Sequence, residues 1–337
     1  MNINQMKEAI KKFRAADFSG LKDEELRAKA QKLQAKQGGF TLLELLVVIA
    51  LMATLATAAM VAYEGIGESS QATAAANNTS TADSAIRNFR AVTQNYPDQW
   101  DHLVTNTGAA LGFAAANTNA RFANLPLAVS ATAGDFRDML NQAMTGVGIT
   151  ELQVRANAAS TAGVEPNLQH NEGAAGADAV ETAFNAITNF AVLPTWGDAG
   201  ACSVNGAAMA GTKLDGTTAV DATDGARQNV INDSLEDDEC NLVIAVGFGH
   251  DAAHSTSDSS VAISTAPTFS SKNINPAANY ARYIALFHVG KDTGDGAGGA
   301  ADDNITADEL FSKPRLLAVL DTEGNMIDEN IAAQNPN

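Results

Sequence analysis

The sequence predicts an α+β chain. A long N-terminal α-helix, transmembrane in its first half, packs on a C-terminal antiparallel β-sheet, with a large Ala/Asn/Thr/Gly-rich insert between them. Three observations carry this expectation. Residues 40–63 read FTLLELLVVIALMATLATAAMVAY, an apolar run whose one charged residue is Glu44. Ala82, Ala85, Ile86, Phe89, Val92 and Tyr96 then recur at the three- and four-residue spacing of one helix face. From Asn241 onward the pattern changes to short β-branched and aromatic runs bounded by turn residues.

The apolar run is the first element to justify. About 24 helical residues rise roughly 36 Å, enough to cross a hydrocarbon core of about 30 Å. Within such a segment an ionisable group costs on the order of 2.5 to 3.5 kcal/mol, so Glu44 needs a partner or a purpose. A conventional secretory signal has a shorter apolar region with its cut site after it. An ordinary signal anchor that contains a Glu is the plainer alternative.

Charge orients the chain. Residues 1–39 hold nine Lys or Arg against five Asp or Glu, a net of +4, and the remainder holds 12 against 34, a net of −22. Basic residues beside a spanning segment stay cytoplasmic, so the acidic part is expected on the other side. Its acidity argues against direct nucleic-acid binding, which needs Lys and Arg clusters, and suits the solubility of an exposed assembly. The basic leader, 1–39, reads as two amphipathic helices at 5–16 and 21–36, broken at Phe18-Ser19-Gly20.

Past the apolar segment, 64–96 continues the helix as its amphipathic second half. No proline interrupts residues 40–95, and Tyr96-Pro97 is expected to end the helix, because the residue before proline is driven out of the α region. The insert, 97–240, contains helical candidates at 135–145 and 177–190, the latter with Asp178 and Glu181 near its start. In the C-terminal sheet region, 241–337, strands are expected at 242–248, 280–289 and 315–320. The turn Asp321-Thr322-Glu323-Gly324-Asn325 then leads into 326–331 as the second arm of a hairpin.

Gly39 followed by Phe40, Thr41, Leu42, Leu43 and Glu44, and then the apolar run, resembles the class III signal of the type IV pilin superfamily, which includes the type II secretion pseudopilins. The long helix, the Tyr-Pro break, Trp100 and the final sheet are similar to that family's architecture. The resemblance implies that prepilin peptidase cuts between Gly39 and Phe40 and methylates the new amine of Phe40. Glu44 would then be the fifth residue of the mature chain, facing the Phe40 amine of a neighbouring subunit. It also implies a homo-oligomeric helical filament raised by an inner-membrane assembly platform. The precursor would be a single-pass inner-membrane protein with a cytoplasmic N-terminus. After assembly the product would be an extracellular filament or a periplasmic pseudopilus, and not an enzyme. The 39-residue leader is longer than is usual in the family, and Val61 stands where many members carry a proline. Three readings follow: a type IV pilus-like subunit, a type II secretion pseudopilin, or an uncleaved membrane-anchored binding protein or enzyme.

Other candidate sites are local. Cys202 and Cys240 lie on the exported side, where one intrachain disulfide is permitted; two buried thiols are the alternative. Asp292, Asp295, Asp302 and Asp303 sit in a glycine-rich stretch able to wrap oxygen ligands around Ca²⁺, though without EF-hand spacing. A solvated loop with no cofactor is the competing expectation, and the resemblance to calcium-binding pseudopilins supports the metal. His250, Asp251 and His254 lack the spacing of a zinc helix and lie among Gly and Ser. No nucleophile, base and orienting group fall into a recognisable pattern.

Overall fold

The structure is a computed structural model. It describes residues 3–20, 22–35, 42–104, 108, 121–127, 135–154, 180–197, 202–209, 213–214, 218–220, 235, 240–249, 282–293 and 302–332. The chain divides into two compact units, Met1–Gly65 and Ile66–Asn337.

In the first unit, α1 (Ile3–Ala15) and α2 (Glu24–Ala35) match the two leader helices. Between them Asp17 accepts the Ser19 N–H at 2.9 Å, and Asp23 accepts those of Glu25 and Leu26 at the start of α2. The division falls within α3 (Leu42–Thr93).

The second unit is built on a mixed, mostly antiparallel sheet. Its strands are β1 (Trp100–His102), β2 (Ala123–Pro126), β3 (Glu151–Val154), β4 (Val180–Ala183), β5 (Asn189–Leu193), β8 (Asn241–Phe248), β9 (Tyr283–Lys291) and β11 (Leu310–Leu320). The path runs β11-β9-β8-β1-β3-β4, and β5 joins β8 and carries β2. A small second sheet orders β10 (Asn304–Ile305), β6 (Ser203–Val204) and β7 (Ala207–Ala208). The expected antiparallel pairing of 242–248 with the 280–289 strand, and of that strand with 315–320, is present. Of two parallel pairings, β1 with β3 makes the main sheet mixed, and β10 with β6 lies in the small sheet. The first becomes available because β2 and α4 (Phe136–Thr145) supply the long crossover that parallel strands need.

Strand β8 explains the two-sided core. All eight of its residues are buried, because alternate side chains enter opposite clusters. Leu242, Ile244, Val246 and Phe248 pack with Ala82, Ala85 and Ile86 of α3 and with Leu140 and Met144 of α4. Val243 and Ala245 pack with Leu103, Phe122, Leu235 and Met326. A strand covered on both faces reads as a continuous apolar run, as NLVIAVGF does. At its end, Asp101 on β1 and Arg282 before β9 form an ion pair at 3.2 Å with side chains 3% and 1% exposed.

Four expectations are corrected. The α3 helix stops at Thr93, ahead of Tyr96-Pro97, because Gln94 adopts a left-handed φ of 63° and the Tyr96 N–H leaves for the Val147 carbonyl at 2.7 Å. Val92 is 75% exposed, since six residues past Ile86 it has rotated about 120° off the buried face. The expected helix at 177–190 is instead β4, a 3₁₀ turn (Phe184–Ala186) and the start of β5, with 177–179 outside the described residues. Val180 and Thr182 are β-branched and pair with β3, while Phe184, Ile187 and Phe190 are buried, which outweighs helix propensity. The second hairpin arm at 326–331 is instead the helix α5 (Ile327–Ala332). Glu329 accepts the Met326 N–H at 2.7 Å, Asp328 and Glu329 occupy the first turn, and the Asn330 amide donates to Asp321 at 2.7 Å. The insert helix at 135–145 is present as α4, capped by Asp135, which accepts the Asp138 N–H.

Two histidines are held neutral. Burial pushes both His102 and His288 down to about 4. The Arg315 guanidinium donates to His288 Nδ1 at 3.3 Å, so that nitrogen must be unprotonated, and Nε2 donates to Asn241 at 3.0 Å. His102 Nε2 sits 2.6 Å from the Asn189 carbonyl, with Arg137 adding repulsion. Asp321 opposes them, since burial raises it to about 6 despite bonds from Asn330, Asn325 and Glu323.

Two predictions follow from this core. Arg282→Ala leaves the Asp101 carboxylate buried without its ion-pair partner and is expected to cost about 3 to 5 kcal/mol of unfolding free energy in a urea titration of the full chain in detergent. Acidification is the second. From pH 6.5 towards 4 the unfolded chain takes up protons that folded His102 and His288 refuse, so stability falls. Folded Asp321 gains a proton before the unfolded chain does and offsets about one of the two. Between pH 7 and 4.5 stability is expected to drop, and His102→Gln or His288→Gln should each shrink that drop by about 2 kcal/mol.

Candidate functional site

The apolar segment is the first candidate. Leu42–Val61 forms 20 residues of α3 with a mean hydropathy of 2.3, and none of it is buried within the molecule. It rises about 30 Å, the thickness of a hydrocarbon core. Leu42, Leu55 and Met60 are 82%, 68% and 73% exposed. The helix runs through Val61 without a break. The hydroxyls of Thr54 and Thr57 donate back to the carbonyls of Leu51 and Ala53 at 2.9 and 2.5 Å, as a segment without water requires. Glu44 lies exposed in the first turn of α3, where the positive end of the helix favours a carboxylate. Gly39 and Phe40 lie outside the described residues.

The second candidate is the corner that joins Cys202, Cys240 and the acidic stretch. Cys202, just before β6, and Cys240, just before β8, form a disulfide with Cα atoms 5.7 Å apart. Thus the bridge ties the insert to the first strand of the C-terminal region. Cys240 Sγ, Asp292 and Asp303 gather within 4.8 Å, all buried. Asp292 Oδ2 accepts the N–H groups of Asp302 and Asp303 at 3.1 and 2.8 Å, closing the loop that leaves β9. Asp303, at a left-handed φ of 58°, passes its carbonyl to the Ser203 N–H at 2.7 Å. Gly197 is needed here, because a Cβ on it would overlap Asp303 and crowd Cys240. Asp302 is exposed and accepts the Asn304 N–H. Asp295, His250, Asp251 and His254 lie outside the described residues. Burial pushes the Glu309 carboxyl up, but bonds from the N–H and hydroxyl groups of Thr293 and Thr306 outweigh it and hold it below the usual range. Asp292, Asp302 and Glu309 are therefore engaged as locks for backbone N–H groups. The Cys240 sulfur is committed to the disulfide and offers no thiolate.

Compared with known families, residues 34–60 match the prokaryotic N-terminal methylation motif. The chain carries a class III prepilin signal. An apolar helix follows it, which is consistent with a type IV pilin-like protein. This signal implies processing by prepilin peptidase and a membrane-anchored precursor. No curated protein and no solved structure matches the chain. The matched segment holds Gly39, Phe40 and Glu44 together with most of the exposed apolar helix.

The sequence left two arrangements unseen. The Asp101–Arg282 pair joins residues far apart in the chain, and nothing local marks either as buried. The Glu309 lock does carry a signal, since Thr306 and Glu309 form a capping box at the expected spacing.

Removing the disulfide tests the corner. The bridged cysteines are 38 residues apart. The double variant Cys202→Ser/Cys240→Ser, which leaves no stray thiol, is expected to lose about 4 kcal/mol in the chain-entropy model, read as a lower urea midpoint.

Proposed function

We propose that the chain is a structural, non-enzymatic subunit of a type IV pilus-like extracellular filament. The observation that carries the reading is the methylation motif at 34–60 running into an apolar helix segment that its own chain leaves uncovered. Prepilin peptidase cuts after Gly39, and the new Phe40 amine is methylated. The precursor waits as a single-pass inner-membrane protein until the assembly platform draws it into a homo-oligomeric filament.

The physics of assembly then centres on two residues. Apolar helices exchange lipid for one another in the filament core. Glu44 enters that core only if an opposite charge lies within about 4 to 6 Å, and the Phe40 amine of an adjoining subunit supplies it. A subunit out of register leaves a buried charge unpaired at a cost of several kcal/mol, so the pair selects register as well as contact. The disulfide corner and the two-sided sheet keep the exported unit folded on the filament surface.

N-terminal sequencing of the mature protein is expected to begin at methylated Phe40; an uncut Gly39-Phe40 bond would return the chain to a membrane-anchored binding protein or enzyme. Sheared cell-surface material is expected to contain the chain as its repeated subunit. A block in enzyme secretion on deletion, with no such filaments, would mark a pseudopilin instead. Glu44→Gln is expected to keep processing and lower filament yield by about tenfold or more, the effect of losing some 1.4 kcal/mol or more per subunit contact. Wild-type assembly of that variant would remove the pairing role.

A further inference from the structure

A cavity of about 640 Å³ opens beside the end of α3, the turn after α4, and β11. Arg87, Arg90 and Lys313 line it, with the amides of Gln94 and Asn95 and the ring of Tyr96, and no acidic residue shares the lining among the described residues. Composition runs against such a site. After residue 39 the chain holds 34 acids and 12 bases, so a charged neighbour of a cation is expected to be acidic about three times in four.

Elsewhere, among the described residues, Arg282 is matched with Asp101 and Arg121 with Glu329. Within the cavity Arg87 is also engaged, at 2.7 Å from Asp83 and 3.1 Å from the Leu317 carbonyl. The other two are different. Arg90 stacks 4.4 Å from the centroid of the Tyr96 ring and donates to its hydroxyl, a neutral partner. The Leu316 N–H, 2.8 Å from that hydroxyl, fixes the tyrosine and with it the guanidinium. Lys313 is exposed on β11 and has no ion pair among the described residues. A positioned guanidinium and a flexible ammonium facing one cavity are the chemistry that recognises a carboxylate.

We propose that this cavity is a carboxylate site filled by an acidic side chain from a second copy of the chain. The occupant follows from charge. Residues 40–337 carry −22, so copies repel one another on approach, and their contact is favoured where one copy's carboxylate meets the other's cations. The proposal rests on the filament reading above.

Carbodiimide treatment of sheared filaments tests it, because that reagent joins an amine to a carboxylate only where the two touch. A dimer on a denaturing gel is expected, with mass spectrometry placing Lys313 in the cross-linked peptide, and Lys313→Gln should remove it. Lys313 is exposed, so its variants keep the fold; Lys313→Arg is expected to hold filament yield and Lys313→Glu to lower it about tenfold. Wild-type yield of Lys313→Glu filaments, or filaments in which Lys313 joins only its own chain or a different protein, overturns the carboxylate site and leaves the filament reading standing. Absence of filaments together with an uncut Gly39-Phe40 bond overturns both.

Discussion

Twelve large apolar side chains between Leu42 and Val61 stand exposed on α3, and in water each would forgo roughly 1.5 to 3 kcal/mol of burial. No other described part of the chain covers them. The deficit amounts to tens of kcal/mol, more than a typical domain's whole net stability, so this helix surface must be met by lipid or by other chains. Every functional reading of the protein has to supply that cover. The membrane supplies it for a precursor, and on the reading proposed above neighbouring copies supply it afterwards.

That constraint gives Glu44 its meaning. A carboxylate in the first turn of an exposed surface helix is ordinary and favoured by the helix dipole. Placed where the cover must be apolar, the same group becomes a condition on what can cover it. Lipid tails offer no counter-charge near this depth, whereas a processed neighbour offers an α-amine. The Glu44 position therefore distinguishes two covers that hydrophobicity alone treats as equal.

Elements whose physics is local were legible in the sequence, and those decided by distant contacts were not. The leader helices, the long helix, α4 and strands β8, β9 and the later part of β11 all carry their own periodicity or caps, and the signal at 34–60 is a contiguous motif. By contrast 177–190 is rich in Ala and starts with acids as a helix does, and its fate is set by pairing with β2 and β3. The run 326–331 follows a turn sequence and so reads as a hairpin arm, until Glu329 and Asn330 find Met326 and Asp321. At the acidic corner the sequence singled out Asp292, Asp295, Asp302 and Asp303 by composition, without the contacts that place them. Asp292 and Asp303 do meet, around the disulfide, and the visible bonds of Asp292 go to backbone N–H groups.

A change in side-chain size along α3 ties the two halves of the argument together. From Leu42 to Val61 the helix presents Leu, Val, Ile and Met outward all around, as a segment does when its environment is apolar on every side. From residue 72 onward its buried positions are mostly small, Ala72, Ala75, Ala76, Ala82 and Ala85 beside the larger Ile86, with Thr79 bonded to the Ala75 carbonyl at 2.8 Å. Small side chains let a helix lie close to the layer beneath it, and they bury little area each, so they suit a contact fixed by one fold. Large exposed ones bury far more area and tolerate several packings, so they suit a surface whose cover changes. One helix therefore carries two chemistries in sequence: a narrow, alanine-rich face committed to the second unit, and a broad apolar face left for lipid or other chains.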